Sequence, residues 1–436
     1  MDEEADPPVL RLLTLIALLV ALPVVGLIAG ASAGELVLVA AAGGALALGL
    51  GLVVAIWLAG LIARTNRVVL VLVFAPLLIL TNVALVPLIA INGAVATFAV
   101  GALFPIAGVL MGIGAVFGVV AMLGRALSFP FARTPTLPVR GVPITADEQP
   151  RVWAFVQDLA ASMHATPPQQ IVVGLEPNFF VTHARVAHLD GEVRGRTLFL
   201  SLSFCRILSA EELKAIVAHE LGHFQGWDTR FSEVFYPVYR GAVESLVSLR
   251  SEMSEGISGL PLYPAYSVLQ FFLDSFAEAE ARLQRTRELA ADRCSVAATD
   301  AQTMASALVK VHGFHRYWRR AIVVLRDNIA SAKKDLNVSR DFAEAAAEHK
   351  DSWWMRHDLD QEEPPHPTDS HPPLSRRLQA VSLTIQDVSQ RAFTVSPATP
   401  ALDLFQEAEA LERRLTLVEK EILIESRQVF EGSKVF

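Results

Sequence analysis

The stretch "AHELGHFQGWDTR", Ala218–Arg230, decides how the rest of the chain is read. Two histidines, His219 and His223, stand four residues apart, with Glu220 directly after the first. The residues before them supply a helix. Ser209 and Glu212 form an S-x-x-E capping box, and Leu213, Ile216, Val217, Leu221 and Phe224 recur at helical spacing. Gly226 is read as the helix stop. On such a helix His219 and His223 share one side, a turn apart, where two imidazoles can hold one zinc ion. Glu220 projects about 100° around the axis, beside the open coordination position. From there it can take a proton from zinc-bound water, whose pKa the metal lowers from about 15.7 to roughly 7.

An HExxH string arises by chance at this composition about once or twice in a hundred chains, so a second group is needed. A longer histidine pattern would put a third ligand at position 229, but that residue is Thr229, and Asp228 is one residue out of phase. The better source is "RTRELAADRCS", Arg285–Ser295, on a helix predicted over about Phe276–Ala298. Glu288 and Asp292 share a face there. One carboxylate can ligate zinc while the other accepts the N–H of a ligating histidine. Alone, E-x-x-x-D reads as a solvated helix face; Ala290, Ala291 and Ala297 argue for close packing instead. A third patch, "DSHPPLSRRLQAV", carries His371 and Arg377. A histidine near zinc can donate to the oxyanion of a tetrahedral intermediate, and an arginine can hold Asp292 or the peptide. Without the other two patches, His371 reads as a histidine in a polar loop.

Composition divides the chain. It has 436 residues, 52% of them hydrophobic, with mean hydropathy +0.40. No charge occurs in Leu12–Gly34, Leu36–Ala63 or Val68–Gly124. A membrane-crossing helix needs about 20 apolar residues, so four spans are expected, near 10–31, 37–63, 68–91 and 95–123. Asn92-Gly93 serves as the turn between the last two. "ASAG" at Ala31–Gly34 resembles a signal-peptidase site, but the acidic start "MDEEAD" and the long apolar run argue against cleavage. Arg64 and Arg67 after the second span, and Arg125, Arg133 and Arg140 after the fourth, put the catalytic part on the cytoplasmic side. Cys205 and Cys294 suit a reducing compartment. A net charge of −8 gives no reason to expect nucleic acid as a partner.

Beyond the apolar half, residues 125–143 read as a juxtamembrane linker, and the remainder is enough for one large domain. Thr145 is the expected N-cap of an amphipathic helix. "QIVVGLEPNFFVTHARV" and "GRTLFLSLS" read as strands joined by a turn. Gly259–Leu273 is apolar but too short, with two prolines, to span. "QEEPPHPTDSHPP" is a proline-rich loop. Trp353 and Trp354 just before it either gate the cleft or pack. Residues 402–431 read as a charged amphipathic helix.

Taken in order after apolar helices, "HELGH", "RELAADR" and "HPPLSRR" resemble the integral-membrane zinc endopeptidases of the HtpX and CAAX prenyl protease type, which are gluzincins. The resemblance covers roughly residues 140–385. It implies that His219, His223 and Glu288 bind one zinc ion and that Glu220 is the general base. It implies that Asp292 orients the first ligand histidine, His371 stabilises the transition state and Arg377 supports it. "EPNFF", with Asn178, is similar to the edge-strand segment that binds substrate backbone. There are departures. No clear span lies between the two metal motifs, where HtpX-type members usually have them. The chain has too few spans for the chamber of the prenyl proteases. The segment after about 385 matches nothing recognised.

The expected fold is therefore mainly α with a small β-sheet, an α+β gluzincin metalloprotease domain after an N-terminal bundle of transmembrane helices. Residues 1–124 would form the membrane region, 144–385 the protease and 386–436 a C-terminal helical extension. The expected function is membrane-anchored, zinc-dependent hydrolysis of peptide bonds in membrane or membrane-proximal proteins. The partners are the lipid bilayer and a polypeptide substrate. The alternative is a catalytically inactive membrane scaffold that retains a structural zinc. Structural sites are usually closed by a fourth protein ligand, and Cys294 is the nearest candidate by sequence. An intramembrane protease would need its HExxH within an apolar span, whereas this helix contains Glu211, Glu212 and Lys214.

Overall fold

The computed structural model describes Leu15 and residues 17–64, 67–101, 104–128, 136–224, 227–253, 263–350 and 372–432. His371, Trp353, Trp354, Gly226 and residues 129–135 of the expected linker lie outside these residues. The chain falls into two compact units, Met1–Thr134 with Glu233–Leu283, and Pro135–Ser232 with Gln284–Phe436.

The first unit opens with four apolar helices, α1 (Leu22–Ala33), α2 (Leu36–Ala63), α3 (Arg67–Gly101) and α4 (Pro105–Ser128). Two stretches, Leu36–Ala63 and Leu72–Phe98, are long and apolar enough to cross a membrane, with hydropathy 2.5 and 2.4. Large apolar side chains point outward along them, Trp57 at 55% exposure and Leu72 at 66% among them. Asn92-Gly93 is not the expected turn but lies inside α3. Polar side chains do not break this helix, because they bond its own carbonyls: Thr81 Oγ1 donates to Leu77 O (2.7 Å), Asn82 Nδ2 to Leu78 O (2.8 Å) and Thr97 Oγ1 to Gly93 O (2.7 Å). The chain turns nearer Phe104, where Pro105 opens α4; proline at the first helical position loses no hydrogen bond.

The second unit begins with strands in the stretch expected as linker, β1 (Thr136–Pro138) and β2 (Gly141–Ile144). Helix α5 (Pro150–Ser162) follows. Thr145 caps a turn before it rather than the helix itself: its N–H and hydroxyl donate to Glu148 Oε2 at 3.0 and 2.9 Å, and the N-cap is Gln149. Then come β3 (Gln170–Gly174), β4 (Phe180–Thr182), β5 (Arg185–His188), β6 (Gly191–Val193) and β7 (Thr197–Ser201). One sheet has the order β2-β3-β7-β4, with β3 and β7 parallel at its centre and antiparallel strands on either side. Both central strands are buried almost along their length, the mark of a strand covered on both faces. A smaller sheet has the order β1-β5-β6. The fold is mainly helical with small mixed sheets, as the sequence predicts.

Two short steps lead to the site, α6 (Leu202–Ile207) and α7 (Ala210–Gly222). The chain then forms α8 (Trp227–Met253) and α9 (Tyr263–Ala298), each divided between the two units. Here the sequence expectation needs correction. Tyr263–Leu273 is the first part of a long helix and not an isolated apolar patch, and α9 begins well before Phe276. Within the first unit, Phe235 and Tyr239 of α8 and Phe272 and Phe276 of α9 surround Phe74 of α3, with ring centroids 4.9–5.7 Å away. Gly60 lets α2 touch α9 backbone to backbone, since a Cβ there would lie 2.5 Å from Ser275 O. Helices α8 and α9 combine apolar and charged residues, so hydropathy averaged along the chain gives no sign of them.

The second unit closes with α10 (Ala301–Phe314), α11 (Tyr317–Ala330), α12 (Val338–His349), α13 (Leu374–Ala380), α14 (Ile385–Ala392) and α15 (Ala408–Gly432). One core joins them to the larger sheet, through Leu198 and Leu200 of β7, Val217 and Leu221 of α7, Val309 of α10, Phe342 of α12 and Leu415 of α15.

Asp341, in the first turn of α12, tests this packing. Burial, with Glu344 close by, pushes its carboxyl up to about 6, and its Oδ2 has no hydrogen-bond partner among the described residues. The folded chain therefore holds this proton more tightly than the unfolded one, whose carboxyl titrates near 3.9. Stability conferred at low pH is lost as pH rises through about 6. Asp341→Asn should raise stability above pH 6 by about 1 kcal/mol, discounted for partial exposure, with little change at pH 4. Thermal unfolding in detergent at the two pH values measures this.

Candidate metal centre

The helix that carries the histidines is fixed from its first residue. Ser209 Oγ accepts from Glu212 N at 3.2 Å, and Glu212 Oε2 accepts from Ser209 N at 2.8 Å, which completes the expected capping box. Glu212 is fully buried, and its carboxylate also accepts from Ser306 Oγ (2.6 Å) and Lys310 Nζ (2.8 Å) of α10. Burial holds Lys310 below the usual lysine range although Glu212 pulls the other way. The helix runs to Gly222, with His223 at its cap, and so stops short of Gly226.

Helix α9 crosses α7 at very short range. A Cβ on Gly222 would lie 3.2 Å from Ala291 Cα, so only glycine permits this approach without a shift. Ser295 Oγ, buried, donates to Ala215 O at 2.7 Å. These contacts bring Glu288 and Asp292 of α9 against the histidines of α7. Nε2 of His219 lies 3.5 Å from Glu288 Oε2, and Nε2 of His223 lies 3.5 Å from Glu288 Oε1. The three ligand atoms all fall within 4.8 Å of one another, and this is the group that could hold a metal ion among the described residues.

The outer contacts orient these groups. Asp292 Oδ1 is 3.0 Å from His219 Nδ1. Arg377, on α13, grips the same carboxylate with both arms, Nε to Oδ2 at 2.9 Å and Nη2 to Oδ1 at 2.6 Å. Its Nη1 is 3.6 Å from Glu288 Oε2. When the ring is neutral, a carboxylate on Nδ1 keeps the proton there and leaves Nε2 as the nitrogen able to bind a metal. Burial alone would raise the Asp292 carboxyl, but Arg377 and His219 outweigh it and hold it low. For His219, burial opposes the charge, yet Asp292 and Glu288 hold the ring up at about 9. Burial pushes His223 down to about 3 and Glu220 up to about 7.

The residues fit a divalent ion. Ligands on a tetrahedral ion with bonds of about 2.1 Å stand about 3.4 Å apart. Each imidazole nitrogen lies 3.5 Å from one of the two Glu288 oxygens, close to that edge and too long for a good hydrogen bond. Two nitrogens and one carboxylate oxygen are the donor types zinc takes. Glu220 stands beside the group, and its carboxylate accepts from the backbone N–H of Val181. Val181 belongs to β4, at the end of the larger sheet.

Of the residues singled out from sequence, His219, His223, Glu220, Glu288, Asp292 and Arg377 converge. Asn178 does not join them. It is exposed, its Oδ1 accepts from Phe179 N at 2.9 Å, and it sits in the turn before β4. Cys294 lies across from Gly222 and is not in the metal-capable group. Sequence reasoning missed Val181, whose part is played by a backbone N–H and leaves no side-chain signal. It also missed Lys310, a lone lysine in an ordinary helix pattern.

Fold and donor set are together those of a metallopeptidase, and comparison with known families agrees. The model of peptidase family M48 matches residues 146–385, more than half of the chain, and the chain belongs to that family. Curated relatives bear the name Protease HtpX homolog. The chain is 28% identical to one from Archaeoglobus fulgidus, over 39% of this chain and 50% of the relative. It is 30% identical to one from Ralstonia nicotianae, over 38% and 57%, and 24% identical to one from Ligilactobacillus salivarius, over 54% and 73%. It thus spans between half and three-fifths of the first two. No solved structure matches the chain significantly.

The Glu212–Lys310 pair gives a prediction. Lys310→Met leaves a buried carboxylate uncompensated and should cost about 3–5 kcal/mol. The double change Glu212→Gln with Lys310→Met should cost less than Lys310→Met alone, because no charge is then stranded. Chemical denaturation of the three proteins measures the difference.

Proposed function

We propose that this protein is a membrane-anchored zinc endopeptidase that hydrolyses peptide bonds of membrane or membrane-proximal proteins at the cytoplasmic face. The observation that carries it is the convergence of His219, His223 and Glu288 within 4.8 Å, with Glu220 beside them. These three residues would hold one zinc ion per chain. When bound, such an ion polarises a carbonyl and acidifies water. Glu220 takes the proton of the attacking water and returns it to the leaving amine. His371, which precedes the helix bearing Arg377, donates to the oxyanion. Asp292 holds the His219 ring in place, and Arg377 holds Asp292.

The substrate lies extended along β4, as an added strand whose backbone bonds the sheet edge. That edge faces Glu220 through Val181, and the Asn178 turn leads into it. The names of the curated relatives support proteolysis, and the two long apolar helices support attachment to a bilayer. Arg64 just after α2, Arg67 at the start of α3 and Arg125 near the end of α4 support a cytoplasmic catalytic unit in a multi-pass protein. An inactive scaffold fits less well. The metal-capable group has three members among the described residues, one short of the four protein ligands that usually close a structural site, and Glu220 is near enough to couple electrostatically to His219 and Glu288.

Glu220→Gln should keep zinc and lower turnover of an unfolded protein substrate by roughly 10²–10⁴-fold. Zinc content and digestion of casein by the purified variant measure both. Digestion at the parent's rate would falsify the assignment.

A further inference from the structure

The family match ends at residue 385, yet the chain that follows returns to the start of α7. Ala401 N donates to Leu208 O at 2.8 Å, and Ala210 N donates to Thr399 O at 3.1 Å. Ser209, the N-cap between those two partners, pairs with Pro400 in a short antiparallel bridge. The N–H of Ala210 is one of the donors that a helix start leaves without an internal partner. The capping box serves Ser209 and Glu212, and the C-terminal segment serves Ala210.

The same segment holds the helix before the cap. Glu412, on α15, is completely buried. Its carboxylate accepts from Arg206 Nε (2.7 Å) and Nη2 (2.5 Å) of α6, from Asn337 Nδ2 (2.9 Å) and from Ser339 Oγ (2.7 Å). Thr416 Oγ1, one turn on, accepts from Val338 N at 3.2 Å. Gln406 and Gln149 bond reciprocally at 2.7 and 2.9 Å, which ties the segment to the cap of α5 as well. Arg206, Leu208, Ser209 and Ala210 are consecutive or nearly so, and three of them bond residues beyond 398.

We propose that residues 399–416 are an intramolecular brace that sets the direction of α7, with Glu412 and Ala401 as positioning residues for His219 and His223. The inference rests on the reading that these histidines hold a metal. From Ala210 to His219 a helix rises about 13 Å. A tilt of about 5° at its start would therefore move the first histidine by about 1 Å, well beyond the roughly 0.2 Å that metal–ligand bonds tolerate. A capping box alone fixes where the helix begins and not which way it points.

The test uses the full chain in detergent, with Glu412→Ala, Glu412→Gln, Ala401→Pro and, as a control, Arg414→Ala. Proline suits position 401 because it is the first residue of a 3₁₀ turn and follows Pro400 at ψ 143°, an extended conformation; it removes one donor and no charge. Arg414 pairs with Asp190 on the surface. Three quantities are read: amide exchange of residues 209–214 in metal-free protein, Co²⁺ affinity by absorption titration, and kcat against KM. Glu412→Ala and Ala401→Pro should speed exchange at 209–214 about tenfold relative to α10, and weaken Co²⁺ binding about 10–100-fold. They should lower kcat with KM within about twofold. Glu412→Gln, which keeps one acceptor oxygen and sets an amide nitrogen against the donors of the other, should recover part of the loss, and Arg414→Ala should match the parent. Parental exchange and Co²⁺ affinity in Ala401→Pro overturn the brace, as does faster exchange spread equally over α10. If Glu412→Ala does not fold, Ala401→Pro and Glu412→Gln decide. If the parent itself takes up no Co²⁺, the metal reading fails, and the exchange data alone judge the brace.

Discussion

The arrangement turns on the grip of Arg377 on Asp292. Asp292 is buried, as is Glu288 one turn away on the same helix. Two carboxylates so close repel one another and lose hydration. The two-armed contact from Arg377, at 2.6 and 2.9 Å, makes Asp292 affordable in that place. Asp292 can then hold the His219 ring by Nδ1, and the opposite nitrogen turns to Glu288. Without the arginine, the aspartate would take up a proton or move, and the imidazole would lose its orientation.

The constraint reaches back into the fold. Arg377 arrives on α13, far along the chain, while Glu288 and Asp292 arrive on α9 and the histidines on α7. Gly222 and Ala291 let the backbones of α7 and α9 come together, and Ser295 bonds Ala215. Helix α9 also has its earlier residues in the first unit, among the aromatic rings around Phe74.

Much of the site was legible because its chemistry repeats at helical spacing. His219 and His223, and Glu288 and Asp292, are each four apart, and the capping box at Ser209 and Glu212 marked where the first helix begins. The apolar helices were legible from uncharged runs alone. Elsewhere the signal was weaker than the structure. Asn92-Gly93 looked like a turn because turn propensity counts residue types, whereas inside a long apolar helix polar side chains bond their own carbonyls. Helix α8 was missed because charged residues interrupt its apolar face, and the start of α9 because its apolar run is short and contains prolines. The strands at 136–144 were read as linker because they are short and rich in proline.

Sequence alone determined the residue types and their spacing: which side chains share a helix face, which runs are apolar, and so which chemistry is available. Periodicity carries that information within one element, where geometry is fixed by the backbone. The tertiary structure decided which faces meet. It brought Arg377 to Asp292, set Val181 beside Glu220 and returned the chain after residue 398 to the start of α7. Such contacts join elements separated by tens to hundreds of residues, and their strength comes from burial and shared packing, which no local pattern encodes.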